Sequence, residues 1–92
     1  MRRGRYVAKM HSQLEDARAA VQGFRSRPEK HTVEGRLEYR RLVEAAQDKG
    51  EHLGHRLDVL RASAREDFPA LKARFDIARE EFRSAVRCAR RG

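Results

Sequence analysis

Tryptophan is absent from the 92 residues, cysteine occurs once and proline only twice. The single Cys88 rules out an internal disulfide framework and suits a reducing compartment or indifference to redox state. No His or acid neighbours it in sequence to activate the thiol, so its expected role is structural. With prolines only at Pro28 and Pro69, and no strand-like alternation, nothing interrupts long helices elsewhere. No stretch approaches the roughly 20 apolar residues of a membrane span. The basic N-terminus is not followed by the apolar run of about 7–15 residues that marks a secretory signal. These absences lead us to expect a cytoplasmic protein. Also missing are a glycine-rich phosphate loop, a nucleophile beside a base in a known motif, and paired carboxylates in an apolar setting. Glu80 and Glu81 are adjacent and so diverge by about 100° on a helix, too far for an acid–base dyad. The chain reads as non-enzymatic, with no cofactor and no small-molecule substrate.

What the chain does have is charge and helical phase. Charged residues make up 39% of it and mean hydropathy is −0.91, values compatible with disorder. Disordered chains lack a sustained apolar phase, however, and this one carries two. Val7, Met10, Leu14, Ala17, Val21 and Phe24 form one seam; Phe68, Leu71, Phe75, Ala78, Phe82, Ala85 and Ala89 form another. Steps of three and four residues set each row along one narrow helix face, as in helices that wrap around one another. An all-α fold follows.

The expected organisation is a single helical domain over 1–92: a helix at about 6–27, a connection at 28–32, and a long helix at about 33–90. Pro28 stops the first helix, since it lacks an amide donor and disfavours helical angles in the residue before it. Thr32 is a favoured N-cap for the second, with Glu34 well placed for the helix N-terminus. A short connection favours antiparallel neighbours, which makes the first two helices a coiled-coil hairpin. The second stripe reads Tyr39, Leu42, Ala46, Gly50, Leu53, Leu57, Leu60, Ala64 and Phe68. It crosses Gly50 without a slip, so the helix is read as continuous there, and Gly50 and Gly54 are read as places where a neighbouring helix comes close. The stripe also crosses Pro69 in phase, which predicts a kink near Asp67 within one long helix. The alternative is that Asp67 caps a new helix and three segments fold into a compact bundle.

The two architectures make different demands. At about 1.5 Å per residue, the first helix is about 33 Å long and an unbroken second helix about 87 Å. In the hairpin, the seam from Phe68 to Ala89 would face water, and a monomer rarely leaves so much apolar surface open. The hairpin therefore calls for a partner, most simply a homo-oligomer or another helical protein. The bundle calls for none.

The net charge of +8 is concentrated at the ends. Arg2, Arg3 and Arg5 precede the first acid, and Arg83, Arg87, Arg90 and Arg91 follow the last; residues 6–81 hold 15 basic and 14 acidic side chains. Arg83, Arg87 and Arg91 share a helix face, where they complement the helix dipole but repel one another. These seven arginines are the candidate anion contacts, against the plainer reading of solvated helix ends.

His52 and His55 alone have metal-ligand spacing, with Asp48 and Glu51 one turn before them. A zinc site needs three or four ligands and normally draws one from a second element, for which only His11 and Glu15 are available. We read this cluster as a solvated polar face and expect no metal.

From Tyr6 the chain reads Tyr-x-x-Lys-Met-x-x-Gln-Leu, and further on Phe68-Pro-Ala-Leu-Lys. This pattern resembles a group of small, uncharacterised bacterial coiled-coil proteins over about residues 6–90. Those proteins usually carry Trp where this chain has Phe68, and Pro69 departs from their pattern. The resemblance implies a helical hairpin and brings no activity with it.

Three functions follow as expectations. The first is an interaction or scaffolding module, self-associating through Phe68, Leu71, Phe75, Ala78, Phe82, Ala85 and Ala89. The second is sequence-independent nucleic-acid binding through the arginine-rich ends. The third is binding to an anionic membrane surface, with Arg79, Arg83 and Arg87 beside Phe75, Phe82 and Val86.

Overall fold

A computed structural model describes residues 3–25 and 32–91. Helix α1 spans Arg3–Arg25, α2 spans Val33–Arg61 and α3 spans Phe68–Arg91, with a single 3₁₀ turn at Arg65–Asp67. Pro28 and the connection at 28–31 lie outside the described residues, as do Ser26 and Arg27 at the expected end of the first helix. Thr32 caps α2 as its position predicts: its backbone is extended and its hydroxyl accepts a 2.9 Å hydrogen bond from the Gly35 amide. Glu34 adds an acid to that first turn. α2 runs through Gly50 and Gly54 unbroken.

The expected long helix does not form. α2 ends at Arg61, and residues 62–64 turn the chain back without a glycine. The Ala62 amide donates to the Asp58 carbonyl, while the Ser63 amide and hydroxyl both donate to the Leu60 carbonyl, the hydroxyl at 2.7 Å. Two carbonyls of the last turn are thereby satisfied. Ala64 is extended, and the 3₁₀ turn then leads into α3 with Pro69 at its second residue. In the first turn of a helix the missing proline amide costs nothing, which is why Pro69 begins α3 instead of kinking a longer helix. Glu66 and Asp67 provide the acids favoured at a helix start. The antiparallel coiled-coil hairpin with an overlong second helix is replaced by three helices, the alternative architecture.

α1 and α3 each run antiparallel to α2 and so parallel to each other. Tyr6 meets Phe68 and Phe75 at one end, Gln13 meets Arg79 in the middle, and Arg90 reaches Phe24 at the other. Both outer helices pack their backbones on α2 and approach each other mainly through side chains. The result is a rod of 52 × 18 × 16 Å, with a radius of gyration of 15.3 Å. A rounder domain of this length would have about 12 Å.

One core runs the length of the rod. Val7, Met10, Leu14 and Val21 enter it from α1; Tyr39, Val43, Ala46, Leu53, Leu57 and Leu60 from α2; Phe75, Ala78, Phe82 and Ala89 from α3. Ala17, Phe24, Phe68, Leu71 and Ala85 are partly buried against it. The second seam therefore faces α2 within the same chain, and the exposed surface that called for a second copy is absent. The structure departs from the expected stripe at two positions: Val43 is buried while Leu42 is only half-buried, and Ala64 is exposed beyond the end of α2. A helix packed on two sides needs a wider apolar face than a single seam. The glycines behave differently from each other. A Cβ on Gly50 would lie 3.0 Å from the Phe82 ring, so α3 does come close there; one on Gly54 would meet Leu14 at an ordinary 3.6 Å.

Candidate functional site

The folded chain distributes its charge by helix. α1 carries five basic and two acidic residues, α3 seven and three, and α2 six of each. The central helix is neutral and the two parallel outer helices hold the excess. Sequence order concealed this, because it placed the excess at two termini that stand at opposite ends of the rod.

The arginines of α3 divide by partner. Arg87 lies 3.5 Å from Glu80, and Arg91 donates to the Cys88 sulfur at 3.8 Å. Arg79 donates to Gln13 Oε1 at 3.0 Å across the α1/α3 boundary. Arg90 sits 5.9 Å above the Phe24 ring. Arg83 is exposed and has no ion pair among the described residues. Arg79, Arg83 and Arg90 thus have no carboxylate partner among the described residues. They follow one another at helical spacing along the α1 side of α3. Arg79 and Arg83 also border a shallow cleft of about 360 Å³ with Gln13 and Ala17, floored by Met10, Leu14, Leu53, Phe75 and Phe82. Lys9, exposed, lies one turn before Gln13.

At the N-terminal end of α1 the charges serve packing. Arg3 donates to the Ser63 carbonyl at 2.7 Å and lies 5.7 Å over the Phe68 ring, tying α1 to the turn between α2 and α3. Arg5 is exposed, and Arg2 lies outside the described residues. Tyr6 donates to Asp76 Oδ1 at 3.1 Å while Lys72 donates to Asp76 Oδ2 at 3.1 Å, with the Lys72 ammonium 4.9 Å over the tyrosine ring. Burial, then the Asp76 charge, push the Tyr6 phenol above its ordinary 10.0. The hydrogen bond to Asp76 leads the causes that raise Lys72 above 10.5.

The remaining predicted residues fall as follows. Of the second seam, Phe75, Ala78, Phe82 and Ala89 are buried in the core and Phe68, Leu71 and Ala85 border it. The apolar side of the Arg79–Arg83–Arg87 stretch is accordingly turned inward at Phe75 and Phe82 instead of toward a lipid surface. His52 accepts from Arg56 Nε at 3.5 Å on the surface of α2. His55 and Glu51 share a groove with His11 and Glu15, and His11 pairs with Glu15 at 3.6 Å. No group of three or more His, Cys, Asp or Glu among the described residues is arranged to hold a metal ion. Cys88 is half-exposed. Arg79 was expected only as part of the membrane-facing stretch and not among the arginine-rich ends; its i,i+4 spacing to Arg83 was the signal that joins it to them.

Comparison with protein-family models, with curated proteins and with solved structures gave no match. No helix among the described residues is long and apolar enough to cross a membrane.

Proposed function

We propose that this protein is a non-enzymatic binding module whose α1/α3 face holds the phosphate backbone of a nucleic acid without regard to sequence. The observation that carries this reading is the asymmetry of charge: a neutral α2 between two basic helices, with Arg79, Arg83 and Arg90 in a row that no carboxylate neutralises among the described residues. Guanidinium groups bind phosphate oxygens through paired hydrogen bonds, and binding releases the counterions condensed on the nucleic acid. A row of guanidinium groups suits contacts to phosphate, which carry no sequence information, so the interaction is electrostatic and steeply dependent on salt. Self-association through the Phe68–Ala89 seam is the weaker reading, because those side chains would first have to leave the core. Contact with an anionic membrane through the same stretch has the same difficulty.

The test is fluorescence anisotropy of the intact chain with labelled mixed-sequence DNA over a range of salt. The expected result is similar affinity for unrelated sequences, with log K falling linearly against log salt. Light scattering on the same samples is expected to show a monomer. Affinity insensitive to salt, or unchanged in an Arg79→Ala, Arg83→Ala variant that melts normally, would overturn the proposal.

A further inference from the structure

Building on that reading, we infer that the preferred ligand is a double-stranded nucleic acid, gripped across a groove, and not a single strand. Single-strand binders gain much of their affinity by stacking bases on aromatic rings. This chain has two tyrosines and four phenylalanines, and all six rings are already engaged. Phe75, Phe82 and Tyr39 are buried in the core. Phe68 is covered by Arg3 and Phe24 by Arg90. Tyr6 meets two phenylalanines edge-on and has Lys72 over its ring. The face has cations but no platform for a base.

The spacing of the cations favours two strands for a separate reason. Arg79 and Arg90 are eleven residues apart on one straight helix, about 16 Å along its axis. The major groove of a B-form duplex is about 12 Å wide, so a stripe of that length reaches phosphates on both of its edges. Arg83 lies between them, and Gln13 borders the start of the stripe from α1. A flexible single strand presents no such pair of edges at fixed separation. A rod with a continuous core holds the stripe straight, so little ordering cost is added on binding.

The experiment compares one labelled duplex with each of its separated strands, using the intact chain and varying salt. Duplex binding at least about tenfold tighter than either strand is expected, with log K falling by about 0.9 per phosphate neutralised, a slope near −3 for three arginines. An Arg79→Ala, Arg83→Ala, Arg90→Ala variant should lose most of that affinity and flatten the slope. An Arg40→Ala, Arg41→Ala variant on neutral α2 should stay within about twofold of the parent, because it leaves the stripe intact. Should the triple variant fail to fold, Arg83→Glu alone serves, since Arg83 is exposed and bonded to nothing among the described residues; its affinity for the duplex should fall, and an unchanged affinity would sink the stripe. Equal or tighter binding of a single strand would overturn the duplex inference while leaving backbone binding in place. No binding of either form would overturn both.

Discussion

α1 and α3 rest on the same central helix and use it in different ways. α1 brings Val7, Met10, Leu14 and Val21 to the core, a row of slender aliphatic side chains. α3 brings Phe75 and Phe82 with the small Ala78 and Ala89 between and after them. The large rings of α3 need room on α2, and Gly50 supplies it: the Phe82 ring occupies the space that a side chain there would take. Opposite α1, Gly54 leaves ordinary clearance around Leu14. The α2/α3 contact is thus a fitted ring-and-gap interface, and the α1/α2 contact a more forgiving aliphatic seam. A bundle of this size depends heavily on a few large side chains, since a short chain buries a modest fraction of its surface.

The largest expected effect that could break this contrast is truncation of the rings. Phe75→Ala should cost about 3–5 kcal/mol in urea unfolding, whereas Met10→Ala, on the floor of the α1/α3 cleft where the site is less tightly packed, should cost about 2. Equal losses would mean that the two seams share the load. Next comes the glycine pair. Gly54→Ala should raise stability by up to about 1 kcal/mol, the helix propensity gained where a Cβ finds ordinary space. Gly50→Ala should not gain it, because Phe82 is only 3% exposed and has little freedom to move away. Thermal melts of the two variants side by side decide the point, and a gain at both would remove the ring-and-gap description.

A smaller effect tests the strut that joins α1 to α3. Tyr6→Phe removes the hydrogen bond to Asp76 and should cost about 0.5–1 kcal/mol. It should also alter the alkaline limb of stability. With the folded pKa of Tyr6 raised above 10.0 and that of Lys72 raised above 10.5, the unfolded chain loses each proton first. Their contribution is therefore fully present below about pH 10 and is lost as pH rises through the folded values. The melting temperature should fall above pH 10 in the parent and fall less in Tyr6→Phe. Identical alkaline slopes would show that the strut contributes nothing through the phenol.

Much of this was legible in the residues. The 3.5-residue rhythm of Val7 to Phe24 and of Phe68 to Ala89 specified helices and their buried sides, because a helix face that avoids water must repeat at that period. Thr32 specified where α2 begins, through one hydroxyl that satisfies an amide with no helical partner. The path of the chain at Pro69 was less legible. Proline at the start of a helix and proline within a kinked one give the same local signal, and the apolar phase persisted because both α2 and α3 need buried faces in either arrangement.

The charged residues show the division most clearly. Composition alone determined that the protein is basic, and helical phase alone set Arg79, Arg83 and Arg90 in a row. Which residues stand beside that row was decided by the reversal at 62–64, which carries α3 back along α2 and lays it next to α1. Helical periodicity is a local property, fixed by backbone geometry within a few residues. The company a helix keeps depends on the direction of the next one, and here that rests on a short run of backbone hydrogen bonds around Leu60 and Ser63.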